Sequence, residues 1–182
     1  MLYIFLADGF EEIEALATVD IIRRAKIDIN TVGVNGQYVT GSHNITVKAD
    51  KILSEIQWSD DIEGVILPGG IPGTPNLEAS EKVMDFLLEA YNNNKLVAAI
   101  CAAPSILGHK GLLKNQAATC YPGFESELFG ANITDTPCVT HGNVITGKGA
   151  GAVFDFAFAI VDYFFNDKDT SKKLKDSMQC TQ

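Results

Sequence analysis

The chain lacks any apolar run near the ~20 residues that cross a bilayer. It also lacks the basic leader of a secretory signal, since "MLYIFLADGFEE" turns acidic at once. A cytoplasmic protein with no membrane contact is therefore expected. Cations are scarce: Lys and Arg number 14 against 23 Asp and Glu, a formal charge of −9. No basic stripe remains to displace counterions from phosphates, which argues against a nucleic-acid partner. Histidine occurs only as His43, His109 and His141, with no metal-ligand spacing, and no CxxC pair occurs among Cys101, Cys120, Cys138 and Cys180. A metal site is not expected, and in a reducing compartment these cysteines are free thiols.

What is present is ordinary for a folded protein: 46% apolar and 20% charged residues over 182 positions. That length fits one domain, here a core over about 1–166 and a polar tail over 167–182. Short runs rich in Val, Ile and Leu recur as "LYIFLA", "INTVGV", "GVILPGG", "KLVAAIC" and "NVITGKG". Helical patterns lie between several of them. From Glu11 to Ala25 the apolar stripe is Ile13, Leu16, Ala17, Ile21 and Ala25, and from Asn76 to Tyr91 it includes Leu77, Val83, Met84, Leu87 and Leu88. A third helix is expected over about Gly151–Phe165. Strands alternating with helices predict an α/β fold with a mostly parallel sheet covered on both faces. "GQYVTGSHNITVKADK" carries turn glycines and reads as a small accessory hairpin, and the polar tail as a short surface helix with a frayed end.

In open parallel sheets, ligands sit beyond the carboxyl ends of the strands. Three loops fall there. "ADGFEEIEA" carries Glu11, Glu12 and Glu14; helix-dipole chemistry explains the first two, whereas Glu14, between Ile13 and Ala15, is placed to face inward. "LPGGIPGTPNL" holds three glycines and three prolines; it matches neither a Walker loop nor GxGxxG, and taken alone reads as a rigid structural turn. "LVAAICAAPSIL" places Cys101 after a strand, before two small residues and Pro104 at a helix start. This resembles a nucleophile elbow, where a helix N-terminus favours the thiolate. A buried cysteine acting as a small hydrophobe satisfies the same residues, and both readings stand. Cys120, Cys138 and Cys180 read as structural. "HGN" at 141–143 lacks the His-x-Glu pattern of a glutamine amidotransferase, and His109 in "GHKG" reads as a helix-end surface residue.

In unbroken order, "GFEEIEA", "VDIIRRA", "VILPGG", "AAICAAP", "ATCYPGFE" and "GKGAGAVFDFAFAIV" resemble the DJ-1/ThiJ/PfpI superfamily, in its DJ-1-like branch. The resemblance runs from Tyr3 to about Phe165 and implies a flavodoxin-like three-layer sandwich, usually a homodimer. It implies that Cys101 is the reactive, oxidisable cysteine and that Glu14 is the protonated carboxyl bonded to its sulfur. Gly70 and Ala102 match the backbone N–H groups of an oxyanion hole. Three positions depart from the pattern. Ala102 stands where the protease-like branch has histidine, so peptidase activity is not carried over. Tyr121 occupies the place of a histidine near the cysteine, and His43 that of an arginine lining the pocket. The resemblance implies cofactor-free, cysteine-dependent processing of small carbonyls such as methylglyoxal, or else an oxidative-stress sensor or chaperone-like dimer with little turnover. For the dimer, Ile22 and Arg23 of helix one are expected to be free for a partner, with Asp20 seeking an arginine.

Overall fold

Strand periodicity sends alternate side chains to opposite faces of a sheet, and the first strand shows it plainly. In β1 (Leu2–Leu6), Leu2, Ile4 and Leu6 join one buried cluster and Tyr3 and Phe5 the other. The structure is a computed structural model and describes residues 1–165 and 169–180. After β1 come α1 (Glu12–Arg24), β2 (Ile29–Gly33), β3 (Tyr38–Thr40), β4 (Thr46–Lys48), β5 (Lys51–Ile52), β6 (Gly64–Leu67), α2 (Gly73–Glu78) and α3 (Glu81–Asn92). There follow β7 (Leu96–Ile100), α4 (Pro104–His109), β8 (Ala117–Ala118), β9 (Asn132–Ile133), β10 (Cys138–His141), β11 (Val144–Gly147), α5 (Val153–Phe165) and α6 (Asp169–Ser177).

The central sheet has the order β10-β11-β7-β6-β1-β2-β5. All its pairs are parallel except β10 with β11. All five expected strands lie in it, and the expected hairpin is β3–β4, with Tyr38 opposite Lys48. The two short edge strands, β5 and β10, have too little apolar pattern to be read from the sequence. On one face α1 and α5 pack through Ala15, Val19, Ile22, Val153, Phe156 and Ile160; on the other, α3 and α4 pack through Val83, Leu87, Ile106 and Leu107. This is the three-layer α/β sandwich.

Two expectations change in detail. The helix over Asn76–Tyr91 is two helices, because Ser80 turns out of the helical conformation and caps α3, its side chain accepting from the Val83 N–H. The inward stripe of α1 is rotated from the expected one. Glu12, Glu14, Ala15, Thr18, Val19, Ile21 and Ile22 are buried, whereas Ile13 and Leu16 face out. Ile22 is therefore not available to a partner, since it is fully enclosed against the sheet. Arg23 is exposed but engaged by Asp50 at 2.6 Å, and Asp20 has its expected donor in Arg24, at 2.7 Å. The tail forms the short helix α6; its expected frayed end falls on 181–182, outside the described residues. No helix among the described residues is long and apolar enough to cross a membrane.

Candidate active site

Cys101 leaves β7 with φ +66°, a left-handed conformation that costs an L-residue roughly 1–2 kcal/mol. Neighbouring backbone holds it there. Its N–H donates to Gly147 O at 2.9 Å, and its carbonyl accepts from Tyr121 N–H at 2.8 Å. Pro104 opens α4, as expected. This is a strained strand-to-helix turn that presents a half-buried thiol, not the relaxed backbone of a cysteine filling a core.

Glu14 stands on the first turn of α1, where Glu11 acts as N-cap and accepts the Glu14 N–H at 2.7 Å. Its side chain is 1% exposed. Oε2 accepts from Gly69 N–H at 2.8 Å, and Oε1 has no hydrogen-bond partner. The carboxyl lies against the sulfur. A Cβ added to Gly69 would fall 2.7 Å from Glu14 Oε2, 2.6 Å from Cys101 Cβ and 3.1 Å from Sγ. Gly69, which the sequence did not single out, is thus the gap between the two groups. Its signal was the doubled glycine of "PGG". Gly70 follows at φ +97°, packed so tightly that a Cβ would meet Gly9 O at 2.3 Å. The Gly-rich loop is part of the site, not the plain turn it resembles when read alone.

Burial pushes the Glu14 carboxyl up to about 7, opposed by its contact with Cys101 and the Gly69 N–H. Burial pushes the Cys101 thiol up to about 12, with the Glu14 charge and hydrogen bond acting in the same sense; the N–H groups of Ala102 and Gly70 pull it down. The direction is opposite to that expected of a cysteine at a helix start, because burial and a carboxylate outweigh two amides. The causes are linked, however. The repulsion exists only while Glu14 is ionised, so the titrations of the two groups are linked.

The other expected residues have partners of their own, and of them Tyr121 touches Cys101. Tyr121 is half exposed, its ring over Gly149; the contact it makes to Cys101 is through its backbone N–H. A groove of about 450 Å³ opens there, lined by Tyr121, Pro122, Pro137, Lys148, Gly149 and Asp155. His43 sits on Glu12, not free in a pocket: its Nδ1 is 2.9 Å from Glu12 Oε2 and its N–H donates to Oε1 at 2.7 Å. Glu12 also accepts from Ser42 Oγ and the Ile45 N–H, and so clasps the hairpin loop to α1. Its role is more than helix-dipole chemistry, and those bonds hold its carboxyl below the usual range despite burial. Glu11, Glu12 and His43 bring ligand atoms within 4.8 Å of one another, a proximity that sequence spacing did not suggest. His109 lies between Glu78 and Glu127, at 2.7 and 2.9 Å, and His141 Nδ1 accepts from the Ala117 N–H.

A family model, the DJ-1/PfpI family, matches residues 1–163. The chain is 34% identical to protein dj-1beta of Drosophila melanogaster, covering 87% of this chain and 86% of that one. It is 35% identical to protein DJ-1 homolog B of Arabidopsis thaliana over 88% of this chain, but spans only 37% of that longer relative. A deglycase of Pyrococcus abyssi is 26% identical, with 83% and 91% covered. Among solved structures, a DJ-1 superfamily protein of Salmonella typhimurium superposes with a TM-score of 0.94 at 34% identity, covering 100% of this chain and 98% of that one. The strained cysteine, the glutamate beside it and the doubled glycine thus lie within a match that spans nearly the whole fold, and the chain belongs to the DJ-1/PfpI family.

Proposed function

We propose that the protein is a cofactor-free, cysteine-dependent enzyme of small reactive carbonyls, of glyoxalase or deglycase type, with methylglyoxal-like substrates. One observation carries the reading: Cys101, held at positive φ, lies against the buried Glu14 carboxyl and beside the N–H groups of Gly70 and Ala102, and we infer that thiol and carboxyl share one proton. A general base poised near the working pH is the most effective. Glu14 accepts the thiol proton as the sulfur adds to the aldehyde carbon, and the two N–H groups receive the developing oxyanion. Protonation by Glu14 gives the hemithioacetal. Glu14 then takes the proton from that carbon and returns it at the neighbouring one, forming a hydroxyacyl thioester. Water releases the hydroxy acid and the thiol. The name of the Pyrococcus abyssi relative supports this class of chemistry. Cys101→Ser should abolish methylglyoxal turnover while leaving the fold intact by circular dichroism; full retained turnover removes the proposal.

A second reading is favoured by the histidines, each of which is engaged with groups other than the sulfur. In it, Cys101 is an oxidant sensor. Two equivalents of peroxide each add one oxygen to the sulfur, and Glu14 donates a hydrogen bond to the sulfinate. Mass spectrometry after mild peroxide should then show two added oxygens at Cys101 and none at Cys120. Under either reading we place the protein in the cytoplasm as a homodimer, with the exposed Ile13 and Leu16 of α1, not Ile22, at the interface.

A further inference from the structure

Both ring nitrogens of His109 meet carboxylates: Nδ1 lies 2.7 Å from Glu78 Oε1, and Nε2 lies 2.9 Å from Glu127 Oε2. A carboxylate only accepts, so both nitrogens must donate, and only the imidazolium carries two N–H groups. A neutral ring keeps one partner and turns a lone pair on the other. Three elements meet at this ring. Glu78 closes α2, which begins three positions after Gly70; His109 closes α4, which begins three positions after Cys101; and Glu127 ends a turn over 125–127. That turn lies hard against α4, where a Cβ on Gly108 would fall 2.1 Å from Glu127 O. From Glu127 a ladder of backbone bonds runs back to the nucleophile. The Glu127 N–H donates to Phe124 O at 3.0 Å, the Phe124 N–H to Tyr121 O at 3.1 Å, and the Tyr121 N–H to Cys101 O at 2.8 Å. The last of these is one of the two bonds that pin Cys101 at φ +66°.

We infer that His109 is a positioning residue for Cys101: as the imidazolium it fastens the 121–127 segment to α2 and α4, and so keeps the Tyr121 N–H on the Cys101 carbonyl. Its bearing on chemistry rests on the reactive-cysteine reading; the clamp itself does not. Among the described residues, the charged groups that reach the ring from the elements packed around it are Glu78 and Glu127. Glu125 is turned to the Gly123 N–H at 2.7 Å, and Phe129 contributes an uncharged ring at 5.2 Å. The bond to Glu127, and after it that to Glu78, raises the imidazole's affinity for its proton. The clamp is therefore closed on the acid side of that titration and opens as pH rises through it. Glu127, 44% exposed against 30% for Glu78, is the partner that water takes over more readily. Phe124 and Leu128 pack the segment on the core, so the loosening is local.

Site-resolved amide exchange reads the ladder directly. The amides of Tyr121, Phe124 and Glu127 are compared with the Val97 amide in β7 between pH 6 and pH 8.5, after correction for base-catalysed exchange. The ring signals of His109 give its titration by NMR. In the unaltered protein, protection of the three amides should fall by about two- to fivefold with that titration, the scale of one exposed ion pair. His109→Lys, a cation over this range, should keep protection high throughout, and His109→Gln should hold it low throughout. Glu127→Gln, whose amide can accept from or donate to the ring, should make protection independent of pH. Alkylation of Cys101 by iodoacetamide, the thiolate sulfur bonding carbon as iodide leaves, is compared between proteins at equal pH. The unaltered protein should match His109→Lys at pH 6 and slow to the His109→Gln rate at pH 8.5. Protection that stays flat in the unaltered protein, or that His109→Lys does not hold above His109→Gln, overturns the inference alone. So do equal alkylation rates in those two variants at pH 8.5. A pH-dependent change that Glu127→Gln preserves would be the ring's charge acting at a distance, and overturns it too. A Cys101 that iodoacetamide modifies in none of these proteins overturns the reactive-cysteine reading, and with it the positioning role.

Discussion

Gly69→Ala places a methyl group in the gap that separates nucleophile from base. Its carbon would lie 2.6 Å from Cys101 Cβ and 2.7 Å from Glu14 Oε2, about 1 Å inside ordinary contact. Cys101 cannot retreat, because its backbone is pinned to Gly147 and Tyr121 on either side. The Glu14 carboxyl, at the end of its side chain, must yield. In swinging away it gives up the Gly69 N–H at 2.8 Å, leaving a buried donor unpaired at a cost of about 1–3 kcal/mol. Residual overpacking adds roughly 1–3 kcal/mol. A loss of about 2–6 kcal/mol in a domain of this size lowers Tm by roughly 4–24 °C. Chemistry should suffer more than stability, since the base no longer touches the thiol. The assay pairs urea denaturation with methylglyoxal kinetics, and the variant should show a lower midpoint and a large drop in kcat. An unchanged midpoint with unchanged kcat would refute the geometry assigned to Gly69 and the sharing of a proton across it.

Glu14→Gln removes the repelling charge and leaves an amide N–H that can donate to the sulfur. With the other three cysteines replaced, ultraviolet titration should show the Cys101 pKa lowered by about one unit or more, while turnover falls by roughly 10²–10⁴ through loss of the base. A raised pKa contradicts the shared proton. His109, between Glu127 and Glu78, holds its proton more tightly when folded. Its stabilisation is therefore present below the unfolded imidazole range and lost as pH rises through the higher folded value. Partial exposure limits it to under about 1 kcal/mol. The stability difference between the unaltered protein and His109→Gln should thus be larger at pH 5.5 than at pH 8.5, and the reverse order would refute the bridge. Sedimentation should show a dimer that Leu16→Glu converts to a monomer; a Leu16→Glu dimer as tight as the original would move the interface elsewhere.

Much of this was legible in residue order. Period-2 apolar strands, helical stripes between them and small residues around Cys101 are local statements, and local sterics decide them. The α/β sandwich, the elbow and the hairpin follow from those patterns together with the family resemblance. What residue order could not decide was where each neighbouring side chain would point once layers packed. Glu11, Glu12 and Glu14 share one acidic segment, yet the first caps the helix, the second clasps the hairpin and the third is buried beside the sulfur. The α1 stripe is set by the surface that receives it, which encloses Ile22 and leaves Ile13 and Leu16 outside. The edge strands β5 and β10 exist because a neighbouring strand offers them hydrogen bonds, not because of their own residues. The direction in which the Cys101 thiol shifts was likewise decided by tertiary structure. The helix start after Cys101 is local, whereas what outweighs it is burial first and then a carboxyl that arrives from a helix some ninety positions earlier in the chain. Burial and long-range charge are properties of the packed molecule; the backbone turn that exposes the cysteine belongs to the sequence.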